Sequence, residues 1–363
     1  MSEYTIDSLL RKAAELGASD VHLSADEVPA FRINGHILKS KLSPMSEEDI
    51  IMAISDMVPP SMKDEALNAN DADFPYEIEG ISRFRVNVAM TFGKHSVSIR
   101  LVSSEIPTFE QLGLPASVEN FANYENGIVL VTGVAGSGKS TTIASILEFI
   151  NNTKRKHIVT IEDPIEYVYK SKKSIFTQRQ VGIDTQDFLA GLKFALRQDP
   201  DVILIGEIRD METVQSALHA AETGHLVFAT LHTFNAVQTL HRVLSFFPPR
   251  ERDSVKQQFA EVFRGSISQR LLQNATNDGR VCAVEILQKT PTIKDLFLKD
   301  ELEEIYKFVQ NGSYDGMITF NESLYDLYKQ GKITKEMALE HSDNQNELRN
   351  LMRGVYTGSE HLY

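Results

Sequence analysis

Residues 128–141 read Ile-Val-Leu-Val-Thr-Gly-Val-Ala-Gly-Ser-Gly-Lys-Ser-Thr, and the fold class turns on that stretch. Four β-formers, Ile128 to Val131, run into Gly133-x-x-x-x-Gly138-Lys139-Ser140, the spacing of a phosphate-binding loop. Beyond the loop Ile143, Ile146, Leu147 and Ile150 recur at i, i+3, i+4 and i+7, so it opens an amphipathic helix. Glycines let backbone N–H groups converge on a phosphate, and the positive end of the helix favours negative charge there. Gly133, Gly136, Ser137, Gly138, Lys139, Ser140 and Thr141 are therefore the candidate nucleotide-binding residues. Lys139 offers a mobile cation to the β- and γ-phosphates, and Ser140 a hydroxyl to Mg²⁺. A chance glycine-rich turn is the plainer alternative, but it would not bring a strand before it and a helix after it.

Working outward, strands alternate with helices, the signature of an α/β fold with a mostly parallel sheet. The pattern predicts strands at Ile128–Thr132, His157–Ile161, Val202–Ile205 and Leu226–Leu231, and helices at about 139–151, 186–198 and 211–222. Asp210 is placed to cap the third helix and Gly224 to follow its end. From Pro248 onward the chain reads as mostly helical, with Ser342 and Gly354 bracketing the last helix.

Three further stretches carry groups that could do chemistry. Val202-Ile-Leu-Ile-Gly-Glu207 is an apolar strand ending in an acid, where a carboxylate could hold Mg²⁺ through water. A surface glutamate is the plainer reading. Ile161-Glu-Asp-Pro-Ile-Glu166 packs three carboxylates at another strand end. One of them could orient the attacking water in phosphoryl transfer. Spacing does not choose between Glu162 and Glu166, and an acidic turn is the alternative. Gly224-His225-Leu-Val-Phe-Ala-Thr-Leu-His232-Thr233 has a histidine at each end of an apolar strand. His232 falls on the same sheet edge as Glu207, which suits a γ-phosphate sensor, although most such histidines only satisfy the core. No ligand stands at zinc spacing with it.

On the N-terminal side, Ile6, Leu9, Leu10 and Ala13 have helical spacing ahead of Gly17. Val21–Ser24 and Ala30–Leu38 look like strands, the second folded over Asn34-Gly35. Ser46-Glu-Glu-Asp49 reads as a capping box. In Ser82–Met90 the residues Phe84, Val86, Val88 and Met90 alternate with Arg83, Arg85 and Asn87. Its expected partner Ser96–Val102 sets Arg100 on the polar face as well. These arginines are either a solvated face or a phosphate-directed one. Residues 1–102 thus read as one small α/β domain, 103–115 as a linker, and 116–363 as a P-loop domain whose last part, from about 290, is helical.

Length and composition narrow the classes. The 363 residues have room for two or three domains, and 42% hydrophobic with 24% charged residues is an ordinary globular mixture. No apolar run approaches the roughly 20 residues of a membrane span. The start, Met-Ser-Glu-Tyr-Thr, has no signal-peptide pattern, so a cytoplasmic protein is expected. A single cysteine, Cys282, leaves no internal disulfide and no cysteine-rich zinc site. The net charge of −13 argues against a nucleic-acid motor.

Taken together, the P-loop, Ile161–Glu166, Asp199-Pro-Asp-Val-Ile-Leu-Ile-Gly-Glu-Ile-Arg-Asp210 and Thr223–Thr233 resemble the Walker A, Asp box, Walker B and His box of secretion ATPases. Within that superfamily the chain is similar to the type IV pilus retraction ATPases of the PilT/PilU type. Ala18–Ser24, Ser82–Asn87 and Thr319–Ile333 carry the likeness into both ends. The resemblance implies a PAS-like N-terminal domain, a RecA-like ATPase domain and a homohexameric ring that uses ATP and Mg²⁺. It implies Glu166 as catalytic glutamate, Glu207 as the acid on the Mg²⁺ side and His232 as the His-box residue. It also implies Arg83, Arg85 and Arg100 as arginines that reach the phosphates. The partners it implies are an inner-membrane platform protein and a paralogous retraction ATPase, at the cytoplasmic base of a pilus machine. Thr292-Ile-Lys-Asp-Leu-Phe-Leu-Lys299 departs from the family's Ala-Ile-Arg-Asn-Leu-Ile-Arg-Glu by losing its arginines. Assembly and type II secretion ATPases remain the rival enzymes, and a low-turnover nucleotide-binding subunit the rival from another class. Against the former stand the missing tetracysteine element and the short N-terminus.

Overall fold

The computed structural model describes residues 5–33, 35–68, 71–102, 105–312 and 315–354. Asn34 of the expected hairpin and Ser103-Ser104 of the expected linker lie outside them. The chain divides into two compact units, residues 1–105 with 166–168, and residues 106–165 with 169–363. Among the described residues no helix is long and apolar enough to cross a membrane.

The first unit begins with α1 (Ile6–Glu15), capped by Thr5, whose side chain accepts from the Ser8 amide, and ended at Gly17 with φ 66°. It continues through β1 (Ala18–Ser24), β2 (Ala30–Ile33), β3 (His36–Lys39), α2 (Glu47–Met57), α3 (Lys63–Asn68), β4 (Asp71–Ile78), β5 (Ser82–Thr91) and β6 (Lys94–Val102). The capping box of Ser46 and Asp49 forms as expected. The six strands make one antiparallel sheet in the order β3-β2-β1-β6-β5-β4. Phe84, Val86, Val97 and Ile99 from its apolar face are buried in one cluster with Leu10 of α1 and Ile50 and Ile54 of α2. Each such side chain removed from water contributes about 1.5–3 kcal/mol. The alternation therefore leaves Arg85 and Arg100 on the uncovered face, and the register sets them directly opposite each other.

The second unit runs α4 (Glu119–Ala122), β7 (Gly127–Thr132), α5 (Lys139–Thr153), β8 (His157–Glu162), β9 (Ile175–Gln180), α6 (Phe188–Ala195), β10 (Val202–Ile205), α7 (Met211–Glu222) and β11 (Leu226–Leu231). Then come α8 (Ala236–Ser245), α9 (Pro249–Val262), β12 (Phe263–Gln273), β13 (Arg280–Gln288), α10 (Pro291–Leu298), α11 (Leu302–Gln310), α12 (Phe320–Lys329), α13 (Lys335–Glu340) and α14 (Gln345–Met352). The strands form a seven-stranded sheet in the order β13-β12-β7-β11-β10-β8-β9. All are parallel except β13. Every residue of β7, β10 and β11 is buried, as expected of strands covered on both faces.

The chain after Pro248 is mostly helical, as expected, but the expectation missed two strands. β12 lies parallel beside β7, and β13 folds back on it. Phe263, Ile267 and Leu271 are spaced four apart and imitate a helix face, but β12 buries both sides, with Ser266 and Ser268 as deeply placed as Ile267. Asn274 turns the hairpin, its Oδ1 accepting from the Asp278 and Gly279 amides. Asn344, not Ser342, caps α14.

Candidate active site

β7, β11 and β10 are adjacent parallel strands, so their C-terminal ends meet at one sheet edge, outside which open α/β sheets bind ligands. The P-loop leaves β7 at Gly133, whose φ is 143°. A Cβ there would lie 2.5 Å from the Gln269 carbonyl oxygen and 2.5 Å from Ser137 Oγ, so only glycine fits. Gly138, with φ 90°, is the N-cap of α5, and no side chain caps that helix. Its first N–H groups and positive end are left for the loop. Ser137 Oγ is buried without a hydrogen-bond partner. An orphaned hydroxyl beside an uncapped helix N-terminus fits an anion with several acceptor oxygens. Lys139 is buried, and its Nζ donates to the carbonyls of Gly133 at 2.8 Å and Val134 at 2.9 Å. Ser140 and Thr141 follow, half-buried, in the first turn of α5.

The acid of β10 and the histidine of β11 come together. Ile205 pairs with Ala229 in register, and His232 Nε2 lies 3.2 Å from Glu207 Oε1. Two hydrogen bonds, one from a side chain and one from the backbone, fasten the strands around that pair. Thr230 Oγ1 donates to the Gly206 carbonyl, and the Ile208 amide donates to the Thr230 carbonyl at 3.1 Å. Gly206 sits close against β8, where a Cβ would meet the Ile161 carbonyl oxygen at a tight 3.1 Å. Arg209, which sequence reasoning passed over, donates from Nε to Glu207 Oε2 at 2.8 Å and stands 3.8 Å from Asp163. One guanidinium thus joins the Asp-box and Walker B stretches. Its only sequence signal was a cation flanked by acids in Glu207-Ile-Arg-Asp210.

The two acids left open by spacing differ in surroundings. Glu162 is buried and accepts from Thr160 Oγ1 at 2.6 Å, whereas Glu166 is exposed. His225, at the other end of β11, has Nδ1 2.8 Å from the Ala220 carbonyl oxygen and serves the helix–strand turn. In the first unit, Arg100 Nε donates to Asp20 Oδ1 at 2.8 Å and Arg85 Nε is 3.6 Å from Asp73. Burial opposes the charge on Asp20, but hydrogen bonds from Arg100 and Ser19 outweigh it and hold the carboxyl below its usual range. Arg85, Asn87, Ser98 and Arg100 share with Asp20 and Asp73 a cleft of about 220 Å³. Arg83 is half-buried on the same strand, opposite Val102.

The family model described as "Type II/IV secretion system protein" matches residues 1–356. The chain belongs to this family. Among its secretion-family relatives it is 42% identical to the type IV pilus retraction ATPase PilT of Pseudomonas aeruginosa, over 92% of this chain and 97% of that one. The type IV pilus ATPase PilU of the same organism is 36% identical, over 98% and 94%. A crystal structure of the pilus retraction motor PilT with bound ADP superposes with a TM-score of 0.89 at 44% identity, covering 96% of this chain and all of that one. The secretion-family stretch that departs from the expected motif, Thr292–Lys299, lies on α10. There Ile293 and Phe297 are buried, Asp295 is exposed, and Lys294 pairs with Glu261 at 2.5 Å.

Proposed function

We propose that the chain is an Mg²⁺-dependent ATPase that retracts type IV pili, working as a homohexameric ring at the cytoplasmic base of the machine. The observation that carries this reading is the Glu207 carboxylate, shared between His232 and Arg209 at the sheet edge onto which the P-loop opens. The loop and the α5 N-terminus hold the phosphates, with Lys139 turning from its own carbonyls to their oxygens. Mg²⁺ would be held by the Ser140 hydroxyl and, through water, by Glu207, and would neutralise charge on the phosphates. Glu166, exposed where Glu162 is buried and hydrogen-bonded, is the acid that takes the proton of the attacking water. His232, anchored on Glu207, faces the γ-phosphate and reports its presence. Arg83, Arg85 and Arg100 add positive charge to the phosphates, and the 103–115 linker allows the 1–102 domain to move as a body. The likeness to PilT along nearly the whole of both chains supports retraction over assembly. An inner-membrane platform protein and a second retraction ATPase are the partners this reading assigns.

The test is steady-state ATP turnover in Mg²⁺ for wild type, Glu166→Gln and Glu162→Gln. Glu166→Gln should bind ATP and lose roughly 10²- to 10⁴-fold in turnover, the scale of a general base. Normal turnover in Glu166→Gln with loss in Glu162→Gln would assign the role to the other acid.

A further inference from the structure

A cluster of four buried hydroxyls lies between the base of the P-loop and the turn that carries His232. Thr132 is the last residue of β7, directly before Gly133, and is paired in register with Leu231 and with Ser268. Thr132 Oγ1 donates to Ser268 Oγ at 2.9 Å. Thr239, on the first turn and a half of α8, stands 3.4 Å from Thr132 Oγ1 and 2.7 Å from Thr233 Oγ1. Thr132, Ser268, Thr239 and Thr233 are all buried. Each hydroxyl has one proton to give. Thr239 donates to the Asn235 carbonyl at 2.8 Å, so it accepts from Thr233, the residue next to His232.

The remaining links of this turn hold it from the helix side. Asn235 caps α8 by accepting from the Gln238 amide at 2.9 Å, and Gln238 Oε1 accepts from the Phe234 amide at 3.3 Å. Glu285, on β13, accepts from the Ala236 amide at 2.6 Å. Among the described residues the bond from Thr233 to Thr239 is the side-chain tie between the residue after His232 and α8. Polar groups in a core are costly unless paired, so four hydroxyls there in place of methyls mark a geometry that is specified.

We propose that Thr239 is a positioning residue for His232, its hydroxyl accepting from Thr233 and so fixing the His-box turn to the first turn of α8. The inference rests on the reading of His232 given above. Removing the hydroxyl leaves the Thr233 hydroxyl buried without its partner, and the turn rotates to satisfy it.

The test compares Thr239→Val, which keeps the shape, with Thr239→Ser, which keeps the hydroxyl, and with His232→Ala. Thr239→Val should lose about tenfold in kcat, the scale of one unsatisfied buried hydroxyl, with KM for ATP unchanged. Affinity for a fluorescent ADP analogue should be unchanged too, while hydrogen exchange in peptides covering residues 232–235 should quicken. Thr239→Ser should restore kcat and exchange. Thr233→Val breaks the same bond from the other end and serves if Thr239→Val does not fold, and the double Val variant should be no worse than either single one. Equal losses in Thr239→Ser and Thr239→Val would overturn the inference, since packing and not the hydroxyl would then matter. Full kcat in Thr239→Val with impaired His232→Ala would overturn it alone. Full turnover in His232→Ala would overturn the reading of His232 and this inference with it.

Discussion

Glu285 is completely buried, and its environment makes a quantitative prediction about pH. Burial is the dominant cause of its shift: it raises the carboxyl from its ordinary 4.5 to about 7, against the hydrogen bond from the Ala236 amide. Asp343 raises it further, while Arg270 and a hydrogen bond from the Phe320 amide lower it. A carboxyl whose pKa is higher in the folded state binds more protons there than in the unfolded chain between pH 4.5 and about 7. Its stabilising contribution is therefore complete below pH 4.5 and lost as pH rises through about 7. The span corresponds to roughly 3 kcal/mol. For a unit of this size that is roughly 6–12 °C in melting temperature. Glu285→Gln keeps the acceptor for Ala236 and removes the titration. The assay is differential scanning fluorimetry of both proteins from pH 5 to 8.5 at fixed ionic strength. The melting temperature of Glu285→Gln minus that of wild type should become more positive as pH rises. A difference that stays constant across the range would show that Glu285 carries the same charge folded and unfolded, and would refute the reasoning.

Three further outcomes are expected. Lys139→Ala should abolish ATP turnover by removing the cation that meets the phosphates, checked by phosphate release in Mg²⁺. Gly133→Ala should lose nucleotide affinity and about 1–3 kcal/mol or more of stability, because the Cβ meets the Gln269 carbonyl at 2.5 Å on a backbone with φ 143°; urea melts and nucleotide titration measure the two effects. Lys139→Ala and Arg100→Ala, each inactive alone, should regain partial turnover when mixed and allowed to exchange subunits if the arginine serves a neighbour's nucleotide; no recovery in exchanged rings would place it within its own chain.

The parts of the sequence that proved legible were those where local chemistry and tertiary role agree. Val129–Val131 ahead of Gly133 read as a buried strand entering a glycine turn, and Asp210 as the cap of what Met211 begins, as its carboxylate is for the Thr213 amide. The alternation from Phe84 to Val88 fixed which face of the first sheet keeps the arginines. β12 and β13 escaped because their environment overrides their pattern. Ser266, Ser268, Gln269 and Glu285 interrupt the apolar runs and are all buried, and the last three make polar contacts that a single strand does not reveal. β9, half-exposed along its length, carries no apolar face at all. Within the site, the shared edge of Glu207 and His232 was readable from strand ends, but their contact depends on the register of Ile205 with Ala229. Arg209 reaches Asp163 from a stretch far off in sequence, and the packing that buries Thr239 beside Thr132 is equally remote, so the flanking residues gave little sign of either.

The most direct measurement is made in cells that carry the gene with Lys139→Ala at its own locus, counting surface pili by electron microscopy and scoring twitching on agar. Retraction by this chain's ATPase site requires piliated or hyperpiliated cells that no longer twitch. Bald cells would assign the site to pilus assembly, and normal piliation with normal twitching would contradict a motor role for this site.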